Sequence, residues 1–407
     1  MHPVSIRTLL NSGLRMLVLG LALVATTGCT FTYPVKQQVL PQPTTVALIQ
    51  PWPLSVGLYI PPAVKSRVFA QQAWRVPAGE SAASSLHWAL ERMFDRVVVL
   101  EAAPAGALLP EGLNGIIELS DLAYDYVIPE ALRYEVELYS GTGERVDGWS
   151  ITTSLPLWDI EQSPSTLMMN RGTEMAYAMR DVTAQFIVHF ADRPAVQAWL
   201  AGAGMPAAAV RPAFSGKDAS PSARPRILLV PNLGTWLYTD AVRAMDCVGR
   251  RLAQAQPPFQ VIPADKVRLE FFPWLEPSTA PKSLEDLQRW AADPAIRNKM
   301  RAIGARYLLE FHGGTKTEVP KGGILCGAGF GAGGCFGFAW GSRDSAFSAA
   351  LLDMWEGGKP LDASATRHSE VYLPAFILPI PLMAPTESKA CEELTQRIHE
   401  RLMRSGP

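Results

Sequence analysis

The feature that most constrains the fold is the stretch Ala201 to Pro225, AGAGMPAAAVRPAFSGKDASPSARP, where alanine, glycine, proline and serine interrupt the apolar patterning on either side. Such a composition buries no continuous face and reads as a linker over residues 201–225. It separates 49–200 from 226–407, each long enough for a core of its own, and a chain of 407 residues is itself suggestive of two domains. Hydrophobic residues make up 48%, enough for both halves to build one.

Within 49–200, Leu54 to Ile60 reads as a strand closed by Pro61 and Pro62. Ser81 to Phe94 carries Leu86, Ala89, Leu90, Met93 and Phe94 at helical spacing. Arg96 to Leu100 and Gly115 to Val127 read as strands. Leu132 to Tyr139 alternates: Leu132, Tyr134, Val136 and Leu138 on one face, Arg133, Glu135 and Glu137 on the other, the signature of a half-exposed antiparallel strand. The turn residues Ser140 to Glu144 return the chain into Val146 to Thr153. Thr173 to Phe190 is a second helix, with Met175, Met179, Val182, Phe186 and Phe190 in line. The order is β-α-β-β-β-β-α, one sheet with helices on one side.

Within 226–407, Arg226 to Val230 (RILLV) opens a strand and Asp240 can cap a helix to about Ala253. Phe259 to Ile262 follows as a strand. Ser283 and Asp286 form a capping box ahead of Leu284, Leu287 and Ala291, and Asp293-Pro294 restarts the helix. Strands are expected at Arg306–Phe311, Ala346–Met354 and Glu370–Leu373, and an amphipathic helix at Glu387–Met403. The expected fold class is α+β: two mixed-sheet α/β sandwich domains, preceded by a lipoprotein signal and a tether.

That N-terminal expectation rests on residues 1–28. Arg7 and Arg15 precede ten apolar residues, Met16 to Ala25, then Thr26, Thr27, Gly28 and Cys29, the layout of an export signal with a small-residue cleavage site. Ten residues are about half of what a helix needs to span a bilayer. The segment Ala25-Thr26-Thr27-Gly28-Cys29 resembles the lipobox of bacterial lipoproteins, with Thr26 where Leu or Val is commoner. The resemblance implies that Cys29 is lipidated and becomes the first mature residue, anchoring the chain to a membrane without spanning it. Thr30, rather than Asp, follows the cysteine, and the resemblance then implies the outer membrane, most often its periplasmic face. Residues 29–48, polar and proline-bearing, are expected to form a lipidated tether.

With Cys29 assigned to lipid, four cysteines remain, and an even number in an oxidising compartment reads as two disulfides. Of three pairings, Cys326–Cys335 and Cys247–Cys391 fit best: the first brackets a Gly-rich loop, and the second joins two expected helices, with Cys391 on the stripe of Leu394, Ile398 and Leu402. No CxxC or His-bearing spacing supports zinc, so no metal is expected.

The order of elements in 226–407 resembles the small α/β domains of periplasmic assembly lipoproteins, of the TolB N-terminal and curli-secretion types. The order in 49–200 resembles ABC-transport auxiliary lipoproteins. These resemblances imply a non-catalytic role in envelope transport or assembly, through an envelope protein partner or a homo-oligomer.

Charge and motifs narrow the chemistry further. The 37 basic and 38 acidic residues become 35 and 38 once residues 1–28 are removed, a net −3, so no electrostatic footprint for nucleic acid exists. The histidines His87, His189, His312, His368 and His399 fall in no HExxH, and no GxSxG occurs. Thr279 and Lys282 make TxxK without its partner motifs, and Asp353 is the one strand-terminal acid to inspect. No enzyme activity and no cofactor are expected.

The loudest local signal is Gly323 to Gly341, GILCGAGFGAGGCFGFAWG. Its formal GxGxxG (Gly329, Gly331, Gly334) sits between two cysteines and lacks the following helix of a dinucleotide site. It reads instead as a disulfide-pinned hairpin over 323–341, with Phe336, Phe338 and Trp340 alternating with small residues. Phe336, Phe338, Trp340 and, from the apolar run Tyr372 to Pro385, Phe376 and Ile377 are the candidate partner contacts. The alternative is that this hairpin builds an oligomeric pore, as the curli-secretion resemblance implies; arms of about eight residues fall short of the nine to eleven of a spanning strand. The aromatic group Phe271, Phe272 and Trp274 is expected to pack in the core or at its rim.

Overall fold

The computed structural model describes residues 31–32, 35, 51–71, 74–104, 110–125, 131–154, 171–205, 226–231, 239–256, 258–318, 321–329, 332–356, 360–377 and 386–404. The export signal, Cys29, most of the expected tether, residues 206–225 of the expected linker and residues 378–385 lie outside them. The fold is α+β, built on two principal mixed sheets.

In the first sheet domain, β2 (Trp52–Tyr59) lies parallel to both β5 (Phe94–Leu100) and β6 (Gly115–Asp125). An antiparallel meander continues through β7 (Ala131–Ser140) and β8 (Arg145–Ser154), giving the order β5-β2-β6-β7-β8. The alternation of β7 has the effect its pattern calls for. Leu132, Tyr134, Val136 and Leu138 are buried, while Arg133 is exposed and Glu135 and Glu137 are half-buried. Helices α2 (Gly79–Met93) and α3 (Arg171–His189) close over that apolar face. Leu86, Ala89, Leu90 and Met93 from α2 meet Met175, Met179, Val182 and Phe186 from α3 in one core.

Three features here exceed the reading from sequence. A small sheet forms from β1 (Phe31–Thr32), β4 (Trp74–Pro77) and β3 (Val68–Gln71). Its strands β3 and β4 follow the one-turn helix α1 (Pro62–Lys65). Gly79 is required there, because a Cβ at that position would lie 2.2 Å from the Val64 carbonyl oxygen. Pro194 does not end the helical region but starts α4 (Pro194–Gly202), whose Val196 and Leu200 join the core. Helix therefore runs two residues into the stretch read as linker, and residues 31–32 of the expected tether are strand.

The second domain centres on β9 (Arg226–Pro231), which is parallel to β10 (Gln260–Ile262) and β11 (Ala305–Thr317). Beyond β11 the sheet turns antiparallel through β13 (Ala332–Asp353), a strand of 22 residues, with β14 (Leu361–Ile377) on its far side. β9 is apolar on both faces because both are covered. Ile227 and Leu229 pack under α5 (Thr239–Gln254) and α9 (Thr386–Arg404). Leu228 and Val230 pack among the residues of α6 (Ala264–Glu270), α7 (Leu284–Ala292) and α8 (Pro294–Ala302). The sheet thus carries helices on both sides, three layers in all.

Ser283 caps α7, its hydroxyl accepting from the Asp286 amide at 3.1 Å and donating to the Asp286 carboxylate at 2.8 Å. Cys247 on α5 is bonded to Cys391 on α9 across 144 residues of sequence. A cross-link closing so long a loop contributes about 2–5 kcal/mol.

Candidate interaction surface

The Gly-rich segment is the distal part of a sheet rather than a separate loop. β12 (Lys321–Gly329) pairs antiparallel with residues 332–340 of β13, while residues 343–353 of the same strand pair with β11. β14 runs along the other side of β13 from Leu361 to Ile377. Residues 321–329, 332–341 and 371–377 therefore form a three-stranded ribbon continuous with the domain's sheet. Glycine and alanine between the aromatics leave a methyl group or no side chain at alternate positions of β13 without breaking the ladder. Pro374 lies on β14, whose other edge pairs with no strand among the described residues, and an edge strand is where a sheet tolerates proline.

Directly opposed residues in an antiparallel sheet share a face. Phe336 stands opposite Leu325 and Phe376, Phe338 opposite Gly323 and Pro374, and Trp340 opposite Lys321 and Tyr372. Leu325, Phe336, Phe338, Trp340, Tyr372 and Phe376 therefore belong to one face of the ribbon. Trp340 is 46% exposed, and Lys321 and Gly322 beside it are exposed. The Gly-rich segment and the Tyr372 run, separate in sequence, are neighbours in space. Ile377 belongs to the reverse face, opposite Cys335, so four of the five candidate contacts share one surface. Cys326 and Cys335 face each other in register. Each arm of the hairpin has nine paired residues, one more than its sequence suggested, and that equals the shortest spanning strands.

A second polar assembly joins the two domains. The Arg180 guanidinium on α3 donates to Glu276 Oε1 from Nε at 2.8 Å and lies 2.6 Å from it through Nη2; Arg268 on α6 bonds the other carboxylate oxygen. Both Arg180 and Glu276 are fully enclosed. Burial pulls the Arg180 guanidinium below its ordinary value, and the Glu276 carboxylate opposes that pull. Next to it, Asp181 accepts from the Ser278 amide at 2.8 Å and from the Thr153 hydroxyl at 2.5 Å. Removing one member of such a buried pair costs about 3–5 kcal/mol, because the survivor is left charged in the interior. The expected core role of the aromatic group is divided here. Phe271 fills the core beneath the second sheet, and Phe272 enters that of the first, its ring 5.4 Å from Trp88. Trp274 packs at the rim of the second.

The titratable groups singled out from the sequence are engaged in local pairs. His189 lies 2.8 Å from Asp192, His368 2.6 Å from Asp344, and His87 3.9 Å from Glu91. The Asp344 hydrogen bond raises the pKa of His368, which is exposed. Asp353 accepts from Arg306 Nε at 2.9 Å and from the amides of Trp355 and Glu356, the usual occupation of a strand-terminal acid. Thr279 donates to the Pro273 carbonyl and Lys282 to that of Pro277, so the pair does not form a hydroxyl–amine couple. Glu310 on β11 is buried, and desolvation raises its carboxyl; Asp362 adds to the rise, and His312, 3.6 Å away, opposes it. Among the described residues no group of three His, Cys, Asp or Glu could hold a metal ion. No helix among them is long and apolar enough to cross a membrane.

No family model matches the chain, and no curated protein matches it. Solved structures to which it is similar include a Xanthomonas campestris protein of family DUF330, at 16% identity over 38% of this chain and 90% of that one, with a TM-score of 0.25. A PelC dodecamer from Paraburkholderia phytofirmans is 15% identical over 45% and 90%, with a TM-score of 0.20. The lipoprotein GNA1162 from Neisseria meningitidis is 13% identical over 44% and 99%, with a TM-score of 0.17. Overlaps of this size carry no argument about role.

Proposed function

We propose that this chain is a non-enzymatic lipoprotein of the outer membrane, anchored through Cys29, facing the periplasm and serving as a binding or assembly module for envelope transport or biogenesis. The observation that carries the reading is the N-terminal sequence itself: two arginines, ten apolar residues, a small-residue site and a cysteine followed by Thr30. The contact surface in this reading is the ribbon face to which Phe336, Phe338, Trp340 and Phe376 belong by register, with Trp340 46% exposed, since aromatic residues are enriched where proteins meet partners. The engagement of Thr279, Lys282 and Asp353 with backbone and arginine supports a role without catalysis.

The test is the intact mass of protein purified from membranes, together with fractionation of Cys29→Ala. A chain beginning at an acylated Cys29, and a variant that moves to the soluble fraction, are expected. A chain beginning elsewhere and free of fatty acid contradicts the proposal.

One observation favours a second reading, an oligomeric secretion channel. The ribbon has nine-residue arms and, among the described residues, no strand pairs with the outer edge of β12. Unpaired edges invite strand addition from another copy. Ring-shaped particles in membrane extracts, together with retention of Cys29→Ala in membranes, would favour it over the first reading.

A further inference from the structure

The composition of 201–225 reads as a linker, and domains joined through a linker move independently unless a well-packed contact holds them. The strap 271–282, between α6 and α7 of the second domain, makes such a contact. Its first two residues enter different cores. Phe271 packs with Leu275 in the second domain, while Phe272 is buried among first-domain residues, its ring 5.2 Å from the Arg180 guanidinium. Arg180 and Arg268 both meet the Glu276 carboxylate, Arg180 also donates to the Arg268 carbonyl at 3.2 Å, and the Arg268 guanidinium lies 5.6 Å from the Tyr177 ring of α3. Both oxygens of Asp181 are engaged. Oδ1 accepts from the Ser278 amide at 2.8 Å, and Oδ2 from the Ser278 hydroxyl at 2.5 Å and from Gln185 at 3.2 Å, besides Thr153. Two guanidiniums and two carboxylates thus balance across the boundary. The strap also holds its own shape, with the Thr279 and Ala280 amides donating to the Glu276 carbonyl at 3.1 and 2.9 Å and the Trp274 amide to that of Phe271 at 2.9 Å. A segment ordered in this way loses little freedom on docking.

From this we infer that the first domain carries a receptor site for the strap of the second, built by Trp88 of α2, Arg180 and Asp181 of α3 and Thr153 of β8, and that this interface holds the two domains as one body without help from the linker. The partner it fits is the chain's own second half. A buried aromatic anchor beside an arginine in a desolvated centre is the composition of a binding hot spot. The Arg180 and Glu276 side chains are 4% and 0% exposed, so parting the domains must break an enclosed ion pair and not a solvated one. The ribbon on the second domain is thereby carried at a fixed position relative to the first. The inference does not depend on acylation of Cys29.

It is tested by placing a protease site between residues 206 and 225 of the full-length chain and cutting the folded protein in mild detergent. Cys247, Cys326, Cys335 and Cys391 all lie in the second half, so no disulfide can join the halves after the cut. The first half is expected to stay bound to a tagged second half. Glu276→Gln should weaken that association by roughly thirtyfold or more. Phe272→Ala and Ser278→Ala, which keep the buried charges intact, should weaken it as well, and they carry the test if Glu276→Gln does not fold. Arg289→Ala, on a side chain 70% exposed on α7, should leave it unchanged. Parent halves that separate on cutting, or an association that no folded strap variant weakens, overturn the inference.

Discussion

One strand, β13, has two very different halves. From Arg343 to Asp353 it lies inside the second domain, between β11 and β14, and Phe347, Ala349, Leu351 and Leu352 are buried beneath helices. From Cys335 to Trp340 it has strands on both sides but alternates glycine and alanine with aromatics, and Trp340 is 46% exposed. Backbone pairing thus continues across an abrupt change of side-chain composition along one strand. Hydrogen bonding extends the ladder, while side-chain volume decides where the fold is stabilised.

The largest expected effect separates the halves by stability. Phe347→Ala removes a fully buried ring and should cost about 3–5 kcal/mol in urea unfolding. Phe338→Ala, in the other half, should stay within about 1 kcal/mol of the parent. Equal losses would mean that the ribbon is part of the core and would remove the case for a contact surface.

The cysteines sharpen the same contrast at intermediate size. Replacing Cys247 and Cys391 by alanine should lower stability by about 2–5 kcal/mol. A bond between Cys326 and Cys335 closes a far shorter loop, and its removal should cost about 2.5 kcal/mol at most. Peptide mapping of unreduced protein reads whether that bond forms, and the two double variants read its relative weight.

A smaller, pH-dependent effect belongs to the packed half, where Glu310 stands opposite Ala350 of β13. Burial raises the folded pKa of Glu310, so the folded chain holds that proton more tightly than the unfolded one. Its contribution is fully present below the ordinary glutamate value and is lost as pH rises through the window up to the raised folded value, at a slope of at most about 1.4 kcal/mol per pH unit. Glu310→Gln should flatten that slope in unfolding curves measured across the window. An unchanged slope would assign the pH dependence to another group.

Much of the body was legible because its signals were local. The alternation of Leu132 to Leu138, the stripe of Met175 to Phe186 and the all-apolar RILLV strand each state their burial directly. What escaped reading depended on context. The helix restart at Asp293-Pro294 is legible, whereas the same chemistry at Arg193-Pro194 is masked by the Ala-Gly run after Leu200, which looks like linker. The strands Val68–Gln71 and Trp74–Pro77 are only four residues each, too short to show a period. Helices on both faces of the second sheet follow from where α6, α7 and α8 dock, which their own amphipathicity does not specify. The ribbon shows in the sequence only as two separate apolar stretches, because pairing Phe336 with Phe376 spans forty residues and leaves no local mark. The clasp between Arg180 and Glu276 is longer in range still.

The most direct test of the contact-surface account is the mass of the lipidated protein extracted in mild detergent, compared with a variant carrying Phe336→Ser, Phe338→Ser and Trp340→Ser. The account predicts that the parent leaves the membrane in a discrete larger assembly and the variant as a monomer with an unchanged unfolding midpoint. Identical assemblies from both, or a monomeric parent, would contradict it.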